Sequence, residues 1–317
     1  MRFKSKSMKK YAIGSDIGGS HISCAVIDLE KKSLLRQSLR TQKVNNHAPA
    51  DKILRDWCMA LNRTMELVSK NDLAGIGFAM PGPFNYPEGI ALFTGTNAKY
   101  EKLFNIHVAD ELSKRLDLSP DRIRFINDAT AFAVGEAWIG KAAQAARSLS
   151  VTLGTGFGSA FIEKGLPVVE REDVPEKGCF WHLPFKNGIA DDYFSTRWFV
   201  KRYFETTGQI TGEVKDIAEK AFSDKAVKAV FDEFGTQLGL FLGPWLEKFD
   251  AGILVIGGNI SSAYTLFGKS FETSLTGQGL KTVIAISELM EDSAIAGSAR
   301  LFDESYWFQV KPLLSKM

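Results

Sequence analysis

The sequence predicts an α/β protein built in two halves, and three observations carry this reading. Strand-like and helix-like segments alternate from residue 11 onward. A strand, glycine turn, strand unit occurs once in each half, as IGSDIGGSHISCAVID and as VTLGTGFGSAFIEKG. A length of 317 residues buries two cores more naturally than one.

The elements follow in order. KKYAIGSDIGG is a short β-like run ending in Asp and two Gly, and SHISCAVIDLE is a second strand. PADKILRDWCMALNRTMELVSK places apolar residues at helical spacing, so it reads as an amphipathic helix. LAGIGFAM is a continuous apolar run closed by the PGPF turn, a buried strand. NIHVADELSKRLDL is a helix with Asn105 as its cap. DRIRFIND is a strand ending in two polar residues, and ATAFAVGEAWIGKAAQAAR is an Ala-rich helix. The second glycine hairpin and the polar segment VEREDVPEKG come next. DDYFSTRWFVKRYFETTG is helical with Gly208 as its stop, and DKAVKAVFDEFGTQLGLFLGPWLEKF is a long helix that Pro244 should kink. AGILVIGGNISSAY is strand, glycine turn, helix; KTVIAIS is a strand; the end is helical from about Glu291.

Composition excludes several function classes. A net charge of +2 with 24% charged residues gives no basic excess for nucleic acid and no acidic tail. No run approaches the roughly 18 apolar residues of a membrane span. MRFKSKSMKK leads straight into YAIGSDIG without an apolar core, so no signal peptide is expected. Cys24, Cys58 and Cys179 form an odd, sparse set, which argues for a reducing compartment and a cytoplasmic location. The 23 phenylalanines are read as a well-filled core.

The two hairpins pose the functional question. A dinucleotide fingerprint needs GxGxxG leading into a helix. In GTGFGS the third glycine comes one residue too early, and the following segment is β-branched and aromatic. Glycine at such turns lets backbone approach a ligand and lets successive N–H groups converge on an anion. Alone, either unit is an ordinary tight hairpin. The repeat, with Asp16 just before the first glycine pair, favours phosphate binding. A carboxylate beside phosphates is unfavourable unless Mg²⁺ lies between them.

DIGGS, NDA, LGTGFG and VIGGNIS occur in that order, and the set resembles the ROK family of sugar kinases, within the actin, hexokinase and heat-shock ATPase-like superfamily. The resemblance runs from about residue 11 to about residue 300. It implies a two-lobed actin-like ATPase (ribonuclease H-like) fold, with a mixed sheet flanked by helices in each lobe and a cleft between lobes. Residues 1–127 plus 302–317 would form the first lobe and 128–301 the second, the last helix crossing back from about residue 302. No helix-turn-helix pattern is seen before Tyr11, so the chain resembles the kinase members and not the DNA-binding repressors. ATP and Mg²⁺ are the implied cofactors, and a homodimer is the implied assembly.

The resemblance also implies roles. Gly18, Gly19 and Ser20 look like the first phosphate loop, with Asp16 near the metal. Family members often carry Thr then Lys after the glycine pair, where this chain has Ser20 and His21. Gly154, Thr155 and Gly156 look like the second loop, with the Thr155 hydroxyl reaching a terminal phosphate oxygen. Gly257 and Gly258 would lie against the adenosine, although the pair is also an ordinary turn between strand and helix. Asp128 would be the base that accepts the proton of the attacking hydroxyl, with Asn127 hydrogen-bonded to sugar. Alone, the Asn127–Asp128 pair reads equally well as a helix N-cap.

The sugar loop departs from the family pattern. Relatives read GExGH, then a cysteine-rich zinc loop, then CxE; here the segment is GCFWHLPFKNGIADDYFS. His182 and Asp191 align with the histidine and glutamate that contact sugar, and Asn97 resembles a sugar-binding asparagine. Cys179 stands where a glutamate would be, and Trp181 replaces a glycine. The zinc cysteines are missing, so no zinc site is expected, and a Phe180, Trp181, Phe185 cluster is expected to order the loop. PGPFN, with Pro81 and Gly82, is read as either the pocket floor or a plain turn. The sequence therefore supports an ATP-dependent kinase for a hexose or amino-sugar derivative. The alternatives are a catalytically weak sugar sensor of the same fold, or another ATPase of that fold.

Overall fold

The computed structural model describes residues 9–94 and 99–317. Asn97 falls outside these residues. In chain order the elements are β1 (Tyr11–Ile17), β2 (His21–Asp28), β3 (Ser33–Leu34), β4 (Arg40–Lys43), α1 (Ala50–Met65), β5 (Leu73–Met80), β6 (Phe84–Asn85), β7 (Ile90–Ala91), α2 (Val108–Leu116), β8 (Ile123–Asn127) and α3 (Asp128–Ile139). There follow β9 (Arg147–Leu153), β10 (Phe157–Glu163), β11 (Leu166–Val168), β12 (Pro184–Phe185), β13 (Gly188–Ile189), α4 (Ala190–Tyr193), α5 (Thr196–Thr207), α6 (Val214–Ala221), α7 (Lys225–Phe249), β14 (Ile253–Gly257), α8 (Tyr264–Gly277), β15 (Val283–Ile286), α9 (Glu291–Ala299) and α10 (Glu304–Val310).

The chain forms two compact units, one reaching Ile139 and resuming over Glu291–Met317, the other Gly140–Met290. In the first unit the sheet order is β3-β2-β1-β5-β8, with β4 also pairing β2. The β1–β2 pair is antiparallel, and β1, β5 and β8 run parallel. β2 and β5 are buried at nearly every position. A strand buried at successive positions needs cover on both faces. α1 supplies cover over β2 and β4, burying Ile53, Trp57 and Leu61 at helical spacing. α3 and α9 pack on each other, and α9 also packs on β1 and β5.

The α3–α9 contact moves the boundary expected from sequence. A Cβ on Gly135 would stand 1.9 Å from the Ser293 carbonyl oxygen, and one on Gly297 would stand 1.9 Å from that of Ala131. The two helix backbones touch, so α3 and α9 belong to one body. The division therefore falls at 139/140 and 290/291, not at 127/128 and 301/302, and the return to the first unit begins at Glu291.

The second unit holds the sheet β11-β10-β9-β14-β15, with β9–β10 antiparallel and β9, β14 and β15 parallel. Its core is dominated by phenylalanine: the Phe157 ring lies 5.2 Å from Phe194 and 6.0 Å from both Phe180 and Phe241. α7 starts where the Asp224 carboxylate accepts the Ala226 and Val227 N–H groups, and it runs through Pro244 without interruption. Three local expectations change. Asn105 adopts φ 60° and does not cap α2, whose N-cap is His107. The Ala-rich helix ends at Ile139, and the segment from Asp191 splits into α4 and α5 before the expected stop at Gly208, φ 70°.

Candidate active site

The first glycine turn, between β1 and β2, is held by its carbonyl groups. Tyr100 Oη donates to the Gly18 carbonyl at 2.7 Å, Asn46 Nδ2 to that of Gly19 at 2.5 Å, and Val44 N–H to that of Ser20 at 2.8 Å. The Gly18 N–H closes the turn on the His21 carbonyl at 2.9 Å. Among the described residues, the Gly19 and Ser20 N–H groups have no acceptor. Successive free amides on a turn whose carbonyls are tied back are able to converge on an anion.

Asn127 and Asp128 divide two tasks that the sequence left open. Asn127 Oδ1 accepts the Thr130 N–H at 3.0 Å and the Thr130 hydroxyl at 3.2 Å, so Asn127 performs the N-cap function for α3. Its Nδ2 donates to Tyr86 Oη at 3.2 Å and to Asp128 Oδ1 at 3.1 Å. Tyr86 follows the PGPFN turn and donates to the Met80 carbonyl at 3.2 Å, so that turn buttresses Asn127. Asp128 is thereby relieved of capping. Its Oδ1 accepts the Ala129 N–H at 2.8 Å, and among the described residues Oδ2 has no partner.

The charges here oppose one another. Burial pushes the Asp16 carboxyl up to about 8, with the nearby Asp128 and Glu291 carboxylates adding to the rise. Burial likewise raises Asp128, opposed by the Ala129 N–H and by the Lys99 ammonium. Among the described residues, no three His, Cys, Asp or Glu side chains converge as a metal cage. A crowded hard-oxygen donor at Asp16 suits Mg²⁺ carried in with phosphate oxygens, since Mg²⁺ commonly takes only one or two protein carboxylates.

In the second unit the turn between β9 and β10 repeats this construction. The Gly154 carbonyl accepts the Thr196 N–H at 2.8 Å and its hydroxyl at 3.0 Å. Arg197 Nη1 donates to the Thr155 carbonyl at 3.4 Å, and the Gly154 N–H to the Gly156 carbonyl at 3.1 Å. Among the described residues, the Thr155 and Gly156 N–H groups are left without acceptors, and Thr155 is exposed. Gly258 backs on the same turn. It adopts φ +81°, and a Cβ there would lie 2.4 Å from the Leu153 carbonyl oxygen, so only glycine fits.

Asp191 also serves this turn. Its Oδ1 accepts the Phe157 N–H at 2.6 Å and its Oδ2 accepts from Arg197 Nη2 at 2.5 Å. The backbone brings the sugar-loop residues together, because the Asp191 N–H donates to the Trp181 carbonyl at 3.1 Å. His182 lies beside them, with Nδ1 3.8 Å from Cys179 Sγ and its ring 5.3 Å from Trp181. The expected aromatic cluster forms only in part. Phe180 and Phe185 both pack on Phe241, whereas the Trp181 side chain is exposed. The β12–β13 hairpin spans the shortened loop. Arg197 and Lys99 escaped the sequence reading because each reaches its turn from a distant segment.

The family model for the ROK family matches residues 12–305. The N-acetyl-D-glucosamine kinase of Haemophilus influenzae is 26% identical over 322 residues, spanning 91% of this chain and 98% of the relative. The glucokinase of Thermotoga maritima is 24% identical, spanning 92% and 97%. Among solved structures, a ROK family glucokinase from Streptomyces griseus in complex with glucose and AMPPNP aligns with a TM-score of 0.72 at 23% identity, covering 92% of this chain and 98% of that one. The actin-like ATPase fold expected from the motifs is the fold found, and among the described residues no helix is long and apolar enough to cross a membrane. With its family model matched across 12–305, this chain belongs to the ROK family.

Proposed function

We propose that the chain is an ATP-dependent kinase that transfers the terminal phosphoryl group to a hydroxyl of a neutral hexose or N-acetylhexosamine. The observation that carries this is Asp128. Its neighbour Asn127 does the capping, which leaves a carboxylate oxygen available at the start of α3. Phosphoryl transfer asks the protein to hold phosphates, align a hydroxyl and accept its proton. Asp128 is the proton acceptor, a role that contributes roughly 10²–10⁴-fold. Its raised pKa makes it a better base than an ordinary surface carboxylate. Asn127, with its amide hydrogens directed to Tyr86 and Asp128, holds the base in place.

The free amides of Gly19, Ser20, Thr155 and Gly156 bind phosphate oxygens, and the Thr155 hydroxyl adds a donor. Asp16 holds Mg²⁺ together with the nucleotide, and the ion supplies positive charge for the phosphates. Gly257–Gly258 places its turn beside the second loop for the nucleoside. His182 and Asp191 belong to the sugar end of the second unit, with Asp191 held by Arg197. The names of the relatives support glucose and N-acetylglucosamine as the first acceptors to try.

Cys179 in place of a carboxylate, and an Asp191 whose two oxygens are both engaged, favour a second reading, a sugar sensor. One experiment separates the two. Glucose, N-acetylglucosamine, N-acetylmannosamine and mannose are each assayed for ADP release with Mg·ATP, and by calorimetry for binding. Sugar-dependent ADP release supports the kinase. Binding without release supports the sensor. Neither, for the whole panel, rejects the proposed substrate class.

A further inference from the structure

We infer that Lys99 is a nucleotide-binding residue that supplies, across space, the cation of the Gly18–Gly19 phosphate turn. The inference rests on the kinase reading above and adds a residue to its nucleotide site. Four observations support it.

The lysine lies directly on the turn. A Cβ built on Gly19 would meet Lys99 Cε at 3.1 Å, Nζ at 3.4 Å and Cδ at 3.5 Å. Its stem therefore covers Gly19 and places the ammonium against the turn whose Gly19 and Ser20 amides are free.

Its position is fixed from behind. The next residue, Tyr100, is fully buried at φ 59°, with its ring 5.4 Å from Trp57 and 5.9 Å from Phe93. Its hydroxyl donates to the Gly18 carbonyl at 2.7 Å. One tyrosine thus ties the Lys99 backbone and the glycine turn to each other.

The ammonium has no other task in view. Among the described residues no carboxylate is in ion-pair contact with it. Its field does reach Asp128, whose ionised form it favours.

The turn lacks any cation of its own. Ser20 is neutral, and His21 faces Glu291, with Nε2 3.6 Å from the carboxylate. Asp16, Asp128 and Glu291 make the surroundings acidic. A polyphosphate approaching the Gly19 and Ser20 amides would meet this negative field, and Lys99 is the positive group placed against the turn itself.

Calorimetric titration with Mg·AMPPNP tests this without needing a sugar acceptor. A charge-assisted hydrogen bond to phosphate is worth enough that Lys99→Met should weaken AMPPNP binding about tenfold or more. Lys99→Arg should restore most of the loss, and sugar binding without nucleotide should be unchanged in both. If Lys99→Met binds Mg·AMPPNP as tightly as the parent, the inference fails while the kinase reading stands. If Lys99→Arg is no better than Lys99→Met, the loss reflects local packing and the inference fails as well. If the parent protein itself does not bind Mg·AMPPNP, the kinase reading falls and this inference with it.

Discussion

The two glycine hairpins share a backbone plan and differ in their surroundings. Each has its carbonyls tied back by donors from elsewhere in its own unit, leaving two successive amides free. Around the first turn lie Asp16, Asp128 and Glu291, with Lys99 laid across Gly19. Around the second, the local acid Asp191 is already neutralised by Arg197 at 2.5 Å. One backbone device thus stands in two electrostatic settings. The first turn sits in a charge-crowded setting suited to a metal and a base. The second is electrostatically settled and suited to holding a ligand.

This contrast orders the expected effects. The largest belongs to Asp128. Asp128→Asn should lower kcat by about 10²–10⁴-fold, with Mg·AMPPNP and sugar affinities near those of the parent. Wild-type turnover in that variant would remove the base from the first turn and erase the distinction.

The next concerns pH and the free protein. Asp16 ionises at about 8 when folded, against 3.8 ordinarily. A carboxyl raised in this way favours the folded state in its protonated form. Its contribution is fully present below about pH 4 and is lost as pH rises through about 8. At roughly 1.4 kcal/mol per pKa unit, the change is on the order of a few kcal/mol. The melting temperature without nucleotide or metal should fall between pH 6 and 9, and Asp16→Asn should flatten that slope. A parent and variant with identical pH profiles would mean that the first turn is not charge-crowded.

Smaller effects are expected at the second turn. Gly258→Ala forces a side chain into a left-handed backbone and against the Leu153 carbonyl. It should cost about 1–3 kcal/mol of stability and weaken nucleotide binding, as read by denaturant titration and calorimetry. The smallest belongs to Arg197. Its side chain is half exposed, and exposed ion pairs contribute about 0–1 kcal/mol. Arg197→Met should therefore change nucleotide affinity less than about fivefold. A loss at Arg197 as large as that at Lys99 would show that the two turns use their cations alike.

Much of this was legible in the sequence, for physical reasons. Glycines between β-like runs announce hairpins, and Asn127–Asp128 stands out as a polar pair closing an apolar strand. The pair did not reveal which member caps the helix, because Asn and Asp are equally good caps. That was decided by the hydrogen bonds to Thr130. The α9 helix misled the domain boundary. From Ser293 to Ala299 the helix is buried at every position and shows no polar face, so its pairing with α3 through Gly135 and Gly297 leaves no periodic trace. Lys99 and Arg197 could not be placed, since their meaning lies in what they reach in three dimensions. The sugar loop was half legible. Its missing zinc cysteines were plain, but the role of Asp191 in securing the Phe157 N–H was not.

The most direct measurement is backbone amide NMR of the protein titrated with Mg·AMPPNP. The amide signals of Gly19, Ser20, Thr155 and Gly156 should shift strongly and gain protection from exchange, with the rest of β1 and β9 little changed. If those four amides stay where they are in the free protein while nucleotide binds, neither glycine turn is a phosphate site and the account is wrong.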